Sequence, residues 1–352
     1  MTDTSATAGA AIVADVVIIG AGPCGLFQVF ELGLLGLKAH VVDTLAAAGG
    51  QCTELYPDKP IYDIPALPVC GAQELIDRLQ AQIKPFAAEF HLGQEVVSLA
   101  RQPGGRRFDV ATSAGTRFDA GAVIIAGGVG SFQPRRLVVD GAADFEGSQI
   151  HYRVRDAAAF AGQRLLILGG GDSALDWTLA FAETASQVTL AHRRNEFRAA
   201  PASVAQMQAL AGAGRIRHLT GTVQSLEIAH GKVTGALVQA PDGSTEAVAC
   251  DHVLAFFGLH PKLGPIAEWG LELEKKALKV DTEKFQTSEP GIFAVGDINT
   301  YPGKKKLILS GFHEAALAAF GVQAWLYPDK KQFLQYTTTS PVMQKRLGVA
   351  ES

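Results

Sequence analysis

The sequence predicts an α/β fold with two Rossmann-like, three-layer dinucleotide-binding domains. Two observations lead to this prediction. A glycine-rich turn lies between an apolar strand and a helix twice along the chain, at 20–25 and at 169–174. The chain also has 352 residues, of which 47% are hydrophobic, which is more than one ordinary core accommodates.

The first glycine turn belongs to a βαβ unit. The apolar residues 16–19 form a predicted strand, a helical pattern runs from Leu26 to about Leu35, and a second strand, 39–42, ends at an acid. The glycines let the backbone approach a pyrophosphate at the helix N-terminus, and the acid accepts ribose hydroxyls. A glycine-rich turn without a ligand is the alternative. The residues predicted to bind the dinucleotide are Gly20, Gly22, Gly25 and Asp43.

The second glycine turn differs at the position that selects the nucleotide. It follows the apolar strand 164–168 and precedes a helix that is predicted to end near Ala185, and after the next strand, 187–191, His192 stands in place of the acid. Guanidinium groups grip a 2′-phosphate that an acid would repel, so we expect NADPH here in preference to NADH. A solvated basic loop is the alternative. The predicted NADPH contacts are Gly169, Gly171, Asp172, Ser173, His192, Arg193, Arg194 and Arg198.

Two dinucleotide sites in one chain indicate a pair of cofactors, FAD in the first and NADPH/NADP⁺ in the second. The apolar segments 122–127 and 292–297 are predicted to be further strands of the FAD domain, and a helix is predicted from about Gly311 to Leu326. Asp297 lies at the carboxyl end of its strand, where open α/β sheets bind ligands. We therefore expect Asp297 to meet ribityl or phosphate oxygens of FAD, with an ordinary turn residue as the alternative.

Composition and charge exclude several other classes of protein. The net charge is −4 and the isoelectric point is about 6.1, which argues against nucleic-acid binding. The N-terminus lacks the basic start of a signal peptide. The apolar run that follows is broken by Asp15, so it is too short for a membrane span. The four cysteines form no CxxC and no zinc-type cluster, and no metal site is predicted. A reduced, cytoplasmic protein is the simplest expectation.

In the order of its motifs, nearly the whole chain resembles thioredoxin-reductase-like flavoproteins, which insert an NADPH domain into an FAD domain. The resemblance implies an FAD domain at 1–132 and 260–352 and an NADPH domain at 133–259. The segment 150–156, where thioredoxin reductases carry a CxxC, contains no cysteine, so thioredoxin reduction is not expected. In the glutathione-reductase class a second cysteine would pair with Cys52, but Pro57 stands at that position. A buried structural role is the favoured interpretation of Cys52.

A more specific resemblance is to the thioredoxin-reductase-like ferredoxin/flavodoxin–NADP⁺ reductases. It rests on the segments 49–51 (GGQ), 55–59 (LYPDK) and 61–65 (IYDIP), on the HRR at 192–194, on the GD at 296–297 and on a C-terminal extension at about 327–352. Tyr56 would stack on one face of the isoalloxazine. Tyr336 is the candidate for the other face, with a subunit-interface or tail role as its alternative. By the same similarity the FAD contacts include Gly50, Gln51, Tyr56, Val96, Phe132, Asp297 and Thr338.

The resemblance implies an FAD-dependent ferredoxin (or flavodoxin)–NADP⁺ reductase. Hydride would pass between NADPH and FAD, and single electrons to or from an iron–sulfur or flavin carrier protein, with no certain catalytic side chain. A homodimer is implied, because the extension crosses to a partner subunit in that family. Residues 300–352 carry a net charge of +4 against −8 for the rest, so an acidic carrier is expected to dock at Lys304–Lys306, with a solvated loop as the alternative.

Two other functions stay open on the sequence. The first is an NADPH oxidase or reductase of a small-molecule acceptor such as a quinone, a disulfide or oxygen, with a possible dependence on Cys52. The second is a redox-sensing protein that binds both cofactors and hardly turns over.

Overall fold

The computed structural model describes residues 10–57, 59–154, 156–331 and 333–349, without the side chains of 131–134 and 259–262. The chain separates into two compact units. The first unit comprises the residues up to Ser131 and those from Pro261 onward, and the second is the continuous stretch Phe132–His260. Two short strands, Ser131–Pro134 and Leu259–Lys262, pair with each other where the chain passes between the units.

The helices and strands are numbered in chain order over the described residues. The α-helices are α1 (Pro23–Leu34), α2 (Gln51–Glu54), α3 (Ala72–Ile83), α4 (Asp172–Phe181), α5 (Pro201–Gly212), α6 (Ile308–Leu326) and α7 (Pro341–Leu347). The strands are β1 (Ile12–Ile19), β2 (Ala39–Asp43), β3 (Pro60–Ile61), β4 (Cys70–Gly71), β5 (Glu89–Leu92), β6 (Val96–Arg101), β7 (Phe108–Thr112), β8 (Arg117–Ile125), β9 (Ser131–Pro134), β10 (Ile150–His151), β11 (Arg164–Leu168), β12 (Gln187–His192), β13 (Arg217–Thr220), β14 (Thr222–Ala229), β15 (Lys232–Gln239), β16 (Thr245–Ala249), β17 (His252–Ala255), β18 (Leu259–Lys262), β19 (Leu273–Glu274), β20 (Ala277–Lys279), β21 (Ile292–Ala294) and β22 (Asn299–Thr300).

The first unit is built on a parallel sheet with the strand order β5–β2–β1–β8–β21. The antiparallel strands β6 and β7 extend it from the first half of β8. Both faces are covered by apolar clusters, one of which contains residues of α1, α3 and α6. This double cover explains why β1 and β8 end in continuous buried runs. The carboxyl ends of β1, β2, β8 and β21 meet at one edge, where ligands bind in such sheets.

The second unit repeats this design in a smaller form. Its parallel sheet has the order β10–β17–β11–β12–β13, and β14, β15 and β16 form a separate antiparallel sheet. Apolar clusters lie on both faces of the parallel sheet. The glycine turn after β11 and the basic residues after β12 therefore emerge at the same edge.

The observed elements differ from the predicted ones mainly at their ends. α4 stops at Phe181 instead of Ala185, because the Phe181 carbonyl accepts the amides of both Thr184 and Ala185 in a tightened turn. β21 is shorter than the predicted strand 292–297, since the chain turns at Gly296, where φ is +79°, into a 3₁₀ turn over Gly296–Ile298. Among the described residues, no helix is both long and apolar enough to cross a bilayer.

Candidate functional site

The three glycines of the first turn are needed for different structural reasons. A β-carbon on Gly20, where φ is +113°, would lie 2.4 Å from the carbonyl oxygen of Ala126 on the neighbouring strand end. A β-carbon on Gly25 would lie 1.9 Å from the Gly20 oxygen, so this glycine lets α1 approach β1. A β-carbon on Gly22 would meet nothing within 4 Å. Gly22 therefore faces open space at the start of α1, which has no side-chain cap, and a pyrophosphate fits there.

Asp43 lies at the end of β2 beside this turn. Its two carboxylate oxygens accept the amide of Ala21, at 2.6 Å, and that of Leu45, at 2.8 Å. Burial raises the pKa of Asp43, while these two amides act in the opposite direction. A carboxylate oxygen accepts two hydrogen bonds, so the group that orders the turn keeps acceptor capacity for ribose hydroxyls.

The GGQ segment closes over the first turn. The amide of Gly49 donates to the Ala21 carbonyl at 2.8 Å, and a β-carbon on Gly50, where φ is +57°, would lie 3.1 Å from the Gly22 α-carbon. Gln51 is half-buried, and its Nε2 lies 3.5 Å from the point where a β-carbon on Gly128 would be. The structure thus brings Gly50 to the first glycine turn and the Gln51 side chain to Gly128, after the end of β8.

Val96 begins the strand that follows this region. The amide of Gln94 donates to the Asp43 carbonyl at 2.9 Å, which ties the segment before Val96 to the end of β2. The Val96 side chain is buried in the core. Any contact between Val96 and a cofactor must therefore be made by its backbone.

Asp297 lies in the 3₁₀ turn at the end of β21, next to the first glycine turn. A β-carbon on Gly296 would lie 3.0 Å from the Cys24 sulfur. Burial, followed by the nearby carboxylates of Glu314 and Asp297, raises the pKa of Cys24 to about 12. Cys24 of the first glycine turn therefore has the carboxylates of Glu314 and Asp297 nearby, and a contact of Asp297 with FAD stays a prediction.

A buried ion pair between Glu314 and Lys304 holds the backbone of this turn at Gly296. The Glu314 carboxylate is 0% exposed and accepts the Gly296 amide at 2.7 Å, the Asn299 amide group at 2.8 Å and the Tyr301 hydroxyl at 2.9 Å. The Lys304 ammonium is 7% exposed; it donates to Glu314 at 2.5 Å and to the Gly296 carbonyl at 2.9 Å. The expectation that Lys304 belongs to a docking surface is therefore wrong, because its charge is buried and paired.

Cys52, in α2, and Tyr56, just after this helix, contact each other. The Cys52 thiol donates to the Tyr56 hydroxyl at 3.9 Å, and Cys52 is buried. Burial raises the pKa of both groups, and the nearby Asp297 also raises the pKa of Tyr56. Cys52 is thus held as a neutral thiol, the unreactive form, while the half-buried Tyr56 ring lies in the neighbourhood of Asp297.

The predicted residues of the C-terminal extension lie on the surface of this chain. Tyr336 is 63% exposed and Thr338 lies in an exposed turn. No aromatic contact joins Tyr336 to Tyr56 in the part of the chain that the structure describes. The extension ends in α7, which packs against α1 of the same chain, and the Arg346 guanidinium donates to the Leu34 carbonyl at the end of α1. The side chain of Phe132 and the whole of Asp58 lie outside the described residues.

The second glycine turn repeats the geometry of the first. A β-carbon on Gly169, where φ is +145°, would lie 2.5 Å from the Phe256 carbonyl oxygen, and one on Gly171 would meet nothing within 4 Å. α4 begins at Asp172 without a side-chain cap. The Asp172 carboxylate accepts the Ala200 amide at 2.9 Å, and Ser173 is exposed in the first turn of the helix. Open space at the second glycine and an uncapped helix start again fit a pyrophosphate.

His192 supports the second turn, and the three arginines surround it. A β-carbon on Gly170 would lie 2.3 Å from His192 Nε2, and the amide of Arg198 donates to the Gly170 carbonyl at 2.7 Å. Burial, followed by the charges of the arginines, lowers the pKa of His192, so the imidazole is neutral and the guanidinium groups supply the positive charge. Arg193, Arg194 and Arg198 are all exposed.

Arg193 also lines an open cavity of about 300 Å³. The cavity lies between the end of β12 and the antiparallel sheet of the second unit, with Gly221, Thr222 and Gln239 in its wall. A guanidinium group at the rim of a polar concavity suits a phosphate with an attached sugar. The predicted 2′-phosphate contact therefore has both charge and space.

The ion pair beneath Asp297 was missed by the sequence prediction, although a signal exists. Glu314 is the one acidic residue in the mostly apolar 19-residue helix α6. Acidic residues are rarely fully buried unless they are paired. A lone carboxylate in a helix that packs on both a sheet and α1 therefore marks a buried partner, which Lys304 provides.

Two nucleotide-type turns on two parallel sheets define a two-domain oxidoreductase of the flavin and nicotinamide class. The model of the pyridine nucleotide-disulphide oxidoreductase family matches residues 14–318. The chain is 62% identical to a ferredoxin–NADP reductase of Methylibium petroleiphilum over 95% of this chain and 92% of that protein. It is 60% identical to ferredoxin–NADP reductase 2 of Cupriavidus pinatubonensis over 99% and 94% of the two chains. The chain belongs to the pyridine nucleotide-disulphide oxidoreductases and, within them, to the family of these ferredoxin–NADP reductases.

Solved structures confirm the predicted fold class. The thioredoxin reductase of T. acidophilum superposes with a TM-score of 0.71 at 24% identity, over 89% of this chain and 98% of that one. The bacillithiol disulfide reductase of Staphylococcus aureus gives 0.72 at 17% identity, over 91% and 100%. The predicted family and the oxidoreductase class are confirmed as well, and FAD and NADP(H), the cofactors of this family, are the two that the sequence predicts.

Proposed function

We propose that this chain is an FAD-dependent ferredoxin (or flavodoxin)–NADP⁺ reductase, with FAD on the first unit and NADP(H) on the second. The observation that carries the proposal is the contrast between the two turns. The first has the ordered carboxylate of Asp43, which suits ribose hydroxyls, and the second has three exposed arginines, which suit a 2′-phosphate. The names of the relatives in Methylibium and Cupriavidus support the same activity.

The residues of the first unit hold and orient the flavin nucleotide. Gly22 and the start of α1 receive the pyrophosphate, Asp43 receives the adenosine ribose, and Asp297 receives ribityl or phosphate oxygens. Gly50 and Gln51 cover the glycine turn, and Tyr56 offers a ring for stacking. When bound, FAD and NADP(H) supply hydride exchange and the division of an electron pair into single electrons. The protein supplies position and electrostatics.

Electrons leave the cofactor without a protein disulfide in this proposal. All four cysteines are free, and Cys52, Cys70 and Cys250 are buried. Burial raises the pKa of each of these thiols, which suppresses the thiolate that disulfide exchange requires. Four unlinked cysteines also support a reduced, cytoplasmic compartment.

The acidic carrier is proposed to dock beside the C-terminal region. Without Lys304, the exposed cations of this region are Lys305, Lys306, Lys330, Lys331, Lys345 and Arg346. A homodimer is proposed on the exposed apolar side chains of the extension, Phe333, Leu334 and Tyr336. In that dimer Tyr336 or a neighbour would cover the second face of the partner's flavin.

The function is tested by comparing electron acceptors. The purified yellow protein is supplied with NADPH or NADH and with ferredoxin, flavodoxin, a quinone, a low-molecular-weight disulfide or oxygen. We expect NADPH to be preferred and a carrier protein to be reduced faster than any small acceptor, with a rate that falls as ionic strength rises. A small acceptor that matches the carrier proteins, or stable reduced flavin with every acceptor, would contradict the proposal.

A further inference from the structure

Three side chains with metal-ligating atoms share one face at the edge of the first sheet. His40 on β2 and Glu89 on β5 are register partners, and His91 lies two residues after Glu89. Side chains two apart on a strand, or directly opposite across a strand pair, point to the same face. The sequence gives no sign of this set, because the two histidines are 51 residues apart.

The distances suit a small tetrahedral cation. His40 Nδ1 lies 3.1 Å from His91 Nε2 and 3.8 Å from Glu89 Oε2, and all three atoms lie within 4.8 Å of one another. Zinc–nitrogen bonds of about 2.0–2.1 Å in a tetrahedron place two ligand atoms roughly 3.3 Å apart. The histidine pair already has this separation. The Glu89 side chain is 70% exposed, so it is free to move the remaining distance.

The surroundings supply a rigid base and an open side. The ring of Phe118 packs against both imidazoles, with centroids 5.6 Å from His40 and 5.0 Å from His91. His40 is buried while His91 is half-buried, so a cation would have the apolar ring behind it and water in front. Two imidazoles with one carboxylate favour Zn²⁺ and similar transition metals over Mg²⁺ or Ca²⁺, which prefer all-oxygen sites.

A second histidine pair, His151 and His252, provides a comparison, because it has a similar geometry but no nearby carboxylate in a three-ligand group among the described residues. His151 Nε2 lies 3.2 Å from His252 Nδ1 across β10 and β17, and Phe160 packs on both rings. Among the described residues, no carboxylate completes a three-ligand group there. A hydrogen bond between neutral imidazoles explains that pair. The first pair differs from it by the presence of Glu89.

We propose that His40, His91 and Glu89 bind one divalent transition-metal cation of the Zn²⁺ type, with a fourth position open to water. The site is distinct from the dinucleotide edge, since His40 stands three residues before Asp43, which is about 10 Å along the strand. Among the described strands, β5 pairs only with β2. A cation shared by β2 and β5 would therefore fasten this edge strand to the sheet.

The experiment uses the full-length, FAD-loaded protein after treatment with a chelator. The protein is equilibrated with Zn²⁺, passed through a desalting column and analysed for metal, and Zn²⁺ affinity is measured by calorimetry. Co²⁺ absorption, taken as a difference from the metal-free flavoprotein, reports the ligand geometry. The variants are Glu89→Gln and His91→Ala, and the matched control is His151→Ala in the other histidine pair.

We expect about one Zn²⁺ per chain and a tetrahedral Co²⁺ spectrum. Both variants should weaken binding by about 10–100-fold or more, since even the loss of an outer-sphere partner costs that much. The control should bind as the unchanged protein does. Zn²⁺ should raise the unfolding temperature of the unchanged protein but not that of Glu89→Gln, while NADPH-dependent reductase activity stays the same in all of them.

Three results would overturn the proposal. They are substoichiometric Zn²⁺, unchanged affinity in Glu89→Gln, or an equal loss in His151→Ala. Because Glu89 is largely exposed, its variant should unfold without metal at the same temperature as the unchanged protein, so a loss of binding there is not a folding defect. None of these results bears on the reductase activity, which is tested separately.

Discussion

Replacing Lys304 with methionine should strongly destabilise the first unit. Lys304 is one of three consecutive lysines, but its ammonium is buried and contacts the Glu314 carboxylate and the Gly296 carbonyl. Methionine keeps the length of the aliphatic chain and removes the charge. The change leaves a fully buried carboxylate without its counter-ion.

The magnitude follows from the hydrogen bonds that remain. Breaking a buried ion pair by removing one partner costs about 3–5 kcal/mol. Glu314 would keep three neutral donors, from Gly296, Asn299 and Tyr301, so we expect a loss near the lower end, about 3 kcal/mol in the free energy of unfolding. The Gly296–Asp297 turn would also lose its Lys304 contact, so FAD should dissociate more readily.

The assay is urea unfolding followed by circular dichroism, with FAD in fixed excess, together with the flavin-to-protein ratio after gel filtration. Lys305→Met is the matched control: Lys305 is exposed, and its loss should change stability by no more than about 0.5 kcal/mol. Adding Glu314→Gln to Lys304→Met removes the orphaned charge and should recover part of the loss. If Lys304→Met costs less than about 1 kcal/mol, or matches its control, the buried-pair argument is wrong.

Further predictions concern the two glycine turns and the thiols. Gly22→Ala should fold but retain little FAD, because its β-carbon would enter the open space beside the helix start where the pyrophosphate is expected. Gly25→Ala should instead lower the folded yield, because its β-carbon would lie 1.9 Å from a carbonyl oxygen. Soluble yield and flavin absorbance distinguish the two outcomes. Arg193→Ala should raise the KM for NADPH about tenfold, because the loss of one exposed charged hydrogen bond costs roughly 1.5 kcal/mol. An equal change in the KM for NADH would refute the 2′-phosphate contact. Cys52→Ala should leave NADPH-dependent ferredoxin reduction unchanged, and a large loss would reinstate a thiol role. Cys24, with a pKa raised to about 12, stays a protonated thiol near pH 8 and should resist iodoacetamide; mass spectrometry that found it modified as fast as in the urea-unfolded protein would contradict this.

Features that depend on neighbouring residues were predictable from the sequence. The strand, glycine turn and helix around Gly22 lie within about 20 residues, and the same pattern recurs around Gly171. In each case the residue types needed by the turn are consecutive. The class of fold and the family therefore followed from local patterns.

Features that depend on register or on distant packing could not be predicted in the same way. Lys304 has the local appearance of a solvated cation, and only the position of α6 against the end of β21 places Glu314 beside it. His40 and Glu89 meet because β2 and β5 are neighbours in one particular register. A shift of one residue would turn one of the two side chains to the opposite face.

The position of β21 has a consequence for how this chain is made. β8 is synthesised early, but its parallel neighbour β21 follows only after the whole second unit. The second unit is continuous in sequence, so it can complete its sheet while the first still lacks one strand and α6. Closing the first sheet then requires pairing across this long insertion, so we expect it to be a late and slow step in folding.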